Sequence, residues 1–265
     1  MARGSEFNGA KGHSARIAAV LAAGALVAVA LVGGLVFWGL SSGGGSTPGP
    51  RTAVIVDQLS LTQPNPAFVE EARSVLEQAG YLVDYFQGGE VTVEFYSGLA
   101  LRDYDLVILR AHSGMAAVSG ELTDYVGLFT GEPYSERKYA ELEAAGLVGP
   151  STYYEGSDER LFGISPEFIT SGMSGKFDGT TIIMMGCDGL KSETTAQAFV
   201  GKGAKVVVGW SARVSAEHTD AATEHLLRHL VIEKLEPQEA VAQTMAEVGW
   251  DPQYGGRLLV YPRKG

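Results

Sequence analysis

The sequence contains almost no cysteine: Cys187 is the single copy in 265 residues. One cysteine excludes an internal disulfide bond, so the fold does not depend on an oxidising compartment. A free cysteine is either a small buried apolar side chain or a nucleophile. The sequence around Cys187 must therefore decide between these two roles.

Basic residues are also scarce, since 20 lysines and arginines stand against 31 acidic residues. Three of the basic residues and one of the acidic residues lie in residues 1–50, so residues 51–265 carry a net charge of −13. Nucleic-acid binding needs a basic face, and this balance argues against such a partner. It suits a domain in cation-rich surroundings, or one whose substrate is basic.

The common cofactor and metal signatures are absent. The sequence has no HExxH motif, paired cysteines, glycine-rich phosphate loop or calcium-binding loop, and we predict no cofactor. His225 and His229 are spaced i, i+4 on a predicted helix, with Glu224 and Glu233 nearby, a spacing that can bind a metal ion. A solvated face of an amphipathic helix explains the same residues, so no metal site is predicted.

Long apolar runs are limited to one, residues 17–40, which contain no charged residue. A bilayer core needs about 20 apolar residues, so this run predicts a transmembrane helix. A cleaved signal peptide is the alternative, but its apolar region is usually about 7–15 residues long. The basic residues on the amino side predict that residues 1–16 are cytoplasmic. We expect a single-pass protein of the cell membrane with the rest of the chain outside the cytoplasm.

The globular domain is predicted to begin at Arg51, because residues 41–50, SSGGGSTPGP, have the composition of a flexible linker. Beyond it, short apolar runs alternate with helical patterns. Strands are predicted at 52–57, 81–86, 104–111, 180–186, 204–210 and 257–261, and helices at 65–78, 93–100, 192–201, 217–235 and 237–248. This alternation specifies an α/β fold with a mostly parallel central sheet and helices on both faces. Residues 116–179 break the rhythm and are interpreted as an insertion.

The carboxyl ends of parallel strands gather along one edge of a sheet, where ligands bind. The residues at these ends include Asp57, His112 and Cys187. A thiol needs a neighbouring imidazole or a positive field to become a nucleophilic thiolate, and the same histidine can later protonate a leaving amine. Small residues follow both side chains, so that backbone N–H groups can approach a substrate carbonyl, as an oxyanion hole requires.

The segments "VILRAHSG", "IIMMGCDG" and "AKVVVGWSARVS" resemble the caspase-like cysteine peptidases, which include caspases, metacaspases, legumains, gingipains and separases. In that family one strand ends in His-Gly and the next core strand ends in a small residue followed by Cys. The resemblance extends over residues 52–261. It implies that Cys187 is the nucleophile, that His112 is the general base and acid, and that the Cys187 amide is one oxyanion donor. Ser113 stands where the family has glycine, so the second donor is either Ser113 or Gly114.

The substrate pocket is expected at the ends of the first and fifth core strands, next to the dyad. These positions give four candidate substrate-binding residues: Asp57, Asp188, Trp210 and Ser211. Relatives that cut after Arg or Lys use a carboxylate in the pocket, and those that cut after Asp use arginine. We expect cleavage after Arg or Lys, with Asp57 as the pairing carboxylate. Arg213 would reverse this expectation if it points inward.

The predicted function is a membrane-anchored cysteine endopeptidase acting on protein or peptide substrates. A glutamine amidotransferase-like hydrolase is one alternative, because residues 53–114 resemble the beginning of that fold. Those enzymes place the cysteine before the histidine, whereas this chain has the reverse order. A catalytically silent caspase-like domain that binds a partner at the membrane is the other alternative.

Overall fold

The computed structural model describes residues 49–118, 121–154 and 158–263. Within these ranges no helix combines the length and apolar character needed to cross a bilayer. The predicted transmembrane helix and most of the predicted linker lie outside the described residues.

Within the described residues the chain forms ten strands and six α-helices. The strands are β1 (Arg51–Asp57), β2 (Tyr81–Gln87), β3 (Leu106–Arg110), β4 (Ser113–Val118), β5 (Glu121–Pro133), β6 (Val148–Ser151), β7 (Leu161–Ile164), β8 (Thr181–Met184), β9 (Val206–Trp210) and β10 (Leu258–Tyr261). The helices are α1 (Pro66–Gln78), α2 (Val93–Ser97), α3 (Ala140–Ala144), α4 (Thr194–Gly201), α5 (Ala216–Leu227) and α6 (Pro237–Val248).

The central sheet has six strands in the order β10-β9-β8-β3-β1-β2. The pairs among β2, β1, β3, β8 and β9 are parallel, and β10 pairs antiparallel with β9 at one edge. The prediction of an α/β fold with a mostly parallel central sheet is therefore confirmed. Strands β3 and β9 are buried along their whole length, as expected of strands covered on both faces.

Two apolar clusters cover the two faces of this sheet. Alternate residues of each strand belong to different clusters, because successive side chains of a strand point to opposite faces. Ile55 and Ile108 pack in the cluster that α1, α5 and α6 cover, whereas Val54 and Val107 pack in the cluster that includes residues of α2 and α4. The helices therefore lie on both faces, as the strand–helix alternation predicted.

Local sequence fixes where α1 begins and ends. Asn65 accepts a hydrogen bond from the Phe68 N–H, and Pro66 occupies the first turn, where its missing N–H costs nothing. Gly80, just beyond the helix, has a φ of +84°, a conformation that glycine adopts without steric cost. The predicted helix at 217–235 is shorter in the structure: α5 ends at Leu227 and continues as a π-helical turn, Arg228–Ile232.

The predicted insertion contains a second sheet, with four antiparallel strands in the order β4-β5-β7-β6. It begins earlier than expected, since β4 starts at Ser113, directly after His112. Leu128, Phe162 and Ile164 from this sheet are buried in the same cluster as Val54 and Val107. The insertion thus covers part of one face of the central sheet near the end of β3.

Candidate active site

His112 and Cys187 follow neighbouring strands at the same register. In the β3–β8 pair, Leu109 lies opposite Met184, and the Met185 N–H donates to the Leu109 carbonyl at 2.9 Å. The strands end at Arg110 and Met184, and the two segments stay in contact beyond them, since the Ser113 hydroxyl donates to the Cys187 carbonyl at 2.7 Å. The two residues therefore leave the sheet side by side at its carboxyl edge.

Gly186 permits the close approach of these two strand ends. A Cβ atom at this position would lie 2.3 Å from the Ala111 carbonyl oxygen and 2.3 Å from the Ser113 hydroxyl oxygen. Both separations are far below van der Waals contact, so any side chain here would push the segments apart. The residue before the cysteine must therefore be glycine for this geometry to form.

His112 is held by polar residues of the loop that follows β1. Its Nε2 atom lies 2.8 Å from the Thr62 hydroxyl, and its backbone N–H donates to Gln58 at 2.9 Å. The ring packs beside Tyr153, with centroids 4.9 Å apart, and Phe129 lies on another side at 5.8 Å. These contacts give Nε2 a partner and fix the ring, whereas Nδ1 makes no hydrogen bond within the described residues.

Burial and, to a smaller extent, the charge of Arg110 together lower the pKa of His112 to about 4. The imidazole is therefore neutral at neutral pH and can accept a proton. Arg110 itself is fully buried, which is unusual for this residue type. Arg110 ends an otherwise apolar strand two residues before His112. An arginine at such a position is the sequence signal that could have indicated buried charged partners near the site.

The Cys187 thiol is partly buried, and Sγ lies 3.6 Å from the Val214 carbonyl oxygen. Burial raises the pKa of Cys187 above its usual value, while the contact with Val214 and the nearby Arg213 guanidinium oppose that rise. The resting side chain is a thiol rather than a thiolate. A neutral imidazole and a neutral thiol are the protonation states from which a histidine can remove a thiol proton.

Ser113 ties the two strand ends together. Its hydroxyl donates to the Cys187 carbonyl at 2.7 Å, and the residue is buried.

The direction of the Ser113 amide follows from the antiparallel pairing of β4 with β5, in which hydrogen-bonded and non-hydrogen-bonded residue pairs alternate. The Phe129 N–H donates to the His112 carbonyl, so the next pair, Ser113 with Leu128, is not hydrogen-bonded, and Gly114 returns to bonding with β5. The Ser113 amide therefore faces the cysteine segment, whereas the Gly114 amide faces β5.

Three of the four predicted substrate-binding residues, Asp188, Trp210 and Ser211, lie at or after the ends of β8 and β9. Asp188 adjoins the nucleophile with a φ of +61°, and its buried Oδ1 atom lies 3.6 Å from Lys191 Nζ. Trp210 is only 1% exposed and donates to Thr219, so it belongs to the core and cannot form a pocket wall. Ser211 joins β9 to the segment before β10, since its amide donates to the Arg257 carbonyl.

Asp57 lies at the end of β1, but Arg110 already pairs with its charge at 2.7 Å. Its carboxylate also accepts hydrogen bonds from the Tyr85 hydroxyl at 3.0 Å and from the Ser60 N–H at 3.0 Å. The residue is 1% exposed. These contacts remove the physical basis of the predicted pairing between Asp57 and a basic substrate side chain.

A cavity of about 670 Å³ opens at the ends of β1 and β2, on the histidine side of the dyad. Its lining includes Ser60, Tyr85 and Glu90. Ser60 belongs to the same loop as Thr62, which contacts His112. The cavity, which Asp57 also lines, therefore adjoins the segment that contacts His112.

The arrangement combines a potential nucleophile, a neutral base in register with it, and two amides near the cysteine. The Cys187 amide makes no hydrogen bond within the part of the chain that the structure describes. This set of groups can attack a carbonyl carbon and stabilise the resulting oxyanion.

A scan against protein-family models gives no match, and a search of curated proteins gives none either.

Proposed function

We propose that this chain is a cysteine endopeptidase of the caspase-like class, in which Cys187 is the nucleophile and His112 the general base and acid. The observation that supports the proposal is the parallel pairing of β3 with β8 together with the Ser113–Cys187 hydrogen bond, which joins the two segments at one edge of the sheet. The resemblance of the sequence to that class also implies that β3 and β8 are neighbours in the sheet. Residues 17–40 would anchor the enzyme in the membrane, with the catalytic domain outside the cytoplasm.

The two side chains can perform acyl transfer with balanced proton movement. His112 accepts the thiol proton as the sulfur attacks the carbonyl carbon of the scissile peptide bond. The amides of Cys187 and Ser113 donate to the oxyanion of the tetrahedral intermediate. The imidazolium then gives its proton to the leaving nitrogen, the C–N bond breaks and a thioester remains. Water, deprotonated by His112, hydrolyses the thioester and regenerates the thiol.

The substrate is proposed to carry an acidic residue before the scissile bond. This differs from the expectation based on Asp57, because that carboxylate is buried and already bonded to Arg110, Tyr85 and Ser60. The cation near Cys187 is Arg213, whose charge opposes the rise in the pKa of the thiol. Arg213 is exposed, and its guanidinium carbon lies 4.6 Å from the centroid of the Tyr254 ring. A guanidinium held beside the nucleophile is suited to binding a carboxylate.

Three forms of the full chain test the proposal: wild type, Cys187→Ala and His112→Ala. We expect wild type to cleave a proteome-derived peptide library, and both variants to lose that activity while keeping the wild-type circular dichroism spectrum. Selective labelling of Cys187 by a peptidyl ketone should also disappear in His112→Ala. A wild-type chain that binds peptides without cleaving them would instead identify a silent binding module. Hydrolysis of glutamine without peptide cleavage would identify an amidotransferase-like hydrolase.

A further inference from the structure

A cluster of metal-binding side chains joins α5 to α6. It consists of His225, His229 and Glu247, whose ligand atoms all lie within 4.8 Å of one another. The two histidines are one helical turn apart on α5 and the π-helical turn that follows it, so they occupy the same face. Glu247 reaches them from the last turn of α6. The three side chains thus come from two different elements and converge on one point.

One carboxylate oxygen contacts both imidazoles. Glu247 Oε2 lies 2.7 Å from His225 Nδ1 and 3.1 Å from His229 Nε2. Ligands of a tetrahedral Zn²⁺ ion, each about 2.0–2.2 Å from the metal, lie roughly 3.3 Å from one another. The two carboxylate–imidazole separations are thus already close to those around a bound ion, and all three ligand atoms lie within 4.8 Å of one another. Side-chain rotations that bring the two imidazoles toward a common point would form the centre.

His229 also has the outer contact that metal-binding histidines usually make. Its second ring nitrogen, Nδ1, lies 3.1 Å from Glu233 Oε2. A carboxylate at this position accepts the Nδ1 proton, fixes the ring and leaves the Nε2 lone pair free for a metal. The buried His229 ring is thus oriented with Nε2 toward His225 and Glu247. A simple ion pair with Glu247 would not require this second carboxylate.

From these contacts we infer that His225, His229 and Glu247 form a Zn²⁺ site with Glu233 as the outer carboxylate. Two imidazoles and one carboxylate are a donor set that suits Zn²⁺ better than Mg²⁺ or Ca²⁺, which prefer oxygen ligands. The side chains of His225 and Glu247 are about half exposed, so solvent can reach the site and supply a fourth ligand. The bound ion would hold the end of α6 against α5. The site is separate from the proposed dyad, since no hydrogen bond or ion pair among the described residues joins its members to His112 or Cys187.

Zinc binding to the full chain tests this inference. All proteins carry Cys187→Ala, because a thiol beside a histidine can also bind Zn²⁺. Zn²⁺ alone is titrated in competition with a chromophoric chelator. We expect one ion per chain in the parent, with affinity reduced at least tenfold in His225→Ala and in Glu247→Gln. Affinity should also fall at pH values where the imidazoles are protonated.

Glu239→Gln is the matched control, since it removes another exposed carboxylate of α6 that has no part in the cluster. Its zinc affinity should equal that of the parent. Zn²⁺ should also raise the melting temperature of the parent and of Glu239→Gln, but not that of His225→Ala. His225 is largely at the surface, so its replacement should leave the fold intact, as circular dichroism would verify. Absence of stoichiometric binding, or equal affinity in all variants, would overturn the inference.

Discussion

The Ser113 hydroxyl donates a hydrogen bond to the Cys187 carbonyl at 2.7 Å, and this bond joins the strand end that carries His112 to the one that carries the cysteine. The same residue directs its amide toward the cysteine segment. A glycine at this position would keep the amide but lose the bond. Ser113 is therefore interpreted as a positioning residue that sets the distance between base and nucleophile.

Replacing Ser113 with Ala or Gly should lower kcat/KM about tenfold, since a hydrogen bond of this kind contributes about 1 kcal/mol and misplacement of the dyad adds to the loss. Initial rates on the best peptide found for wild type measure the effect. Ser171→Ala is the control, because its hydroxyl also donates to a backbone carbonyl, that of Glu167, and does not bond to the segments that carry His112 and Cys187. Wild-type rates in Ser113→Gly would show that only a small residue is needed.

The low pKa of His112 predicts an acid-dependent loss of stability. The unfolded histidine takes up a proton below about pH 6.5, whereas the folded one does so only near pH 4. The unfolded state therefore binds more protons between these values, and stability falls as the pH falls through this window. The loss should reach about 3 kcal/mol at most. Urea unfolding of wild type and His112→Gln at several pH values isolates this contribution, and parallel curves for the two proteins would contradict it.

Asp57→Asn should destabilise the domain by about 1.5–3 kcal/mol, because it weakens one buried charge-assisted hydrogen bond while Arg110 keeps its two bonds to Asp220. Tyr85→Phe removes only one neutral donor to the same carboxylate and should cost about 1 kcal/mol. Urea unfolding compares the two variants. A change of substrate preference in Asp57→Asn without loss of stability would instead return Asp57 to the substrate pocket.

Arg213 should decide the preferred charge of the substrate. We expect wild type to cleave peptides with Asp before the scissile bond faster than peptides with Arg there. Arg213→Gln should reduce that ratio at least tenfold, as expected when one partner of a charge pair is removed. Arg257→Gln is the control, since Arg257 is another exposed arginine stacked on an aromatic ring, that of Trp250 at 5.7 Å. Faster cleavage of the Arg peptide by wild type would refute the assignment.

Much of the architecture followed from local sequence. The apolar runs that became β1, β3, β8 and β9 are hydrophobic at successive positions, which is possible only for strands covered on both faces. The same reasoning placed His112 and Cys187 at strand ends, because each apolar run stops there. Helix α1 could be bounded closely because Asn65, Pro66 and Gly80 act on the backbone next to them.

Strand order and charge pairing were decided only by the tertiary structure. Nothing local to β3 or β8 specifies that they are neighbours, since their contact joins segments more than seventy residues apart and depends on what covers each face. For the same reason the sequence could not reveal that Arg110 would neutralise Asp57, or that Glu247 would meet His225 and His229. A side chain's type and its place on a strand or helix are local properties, but the partner that sets its charge and reactivity is brought to it by the packing of distant elements.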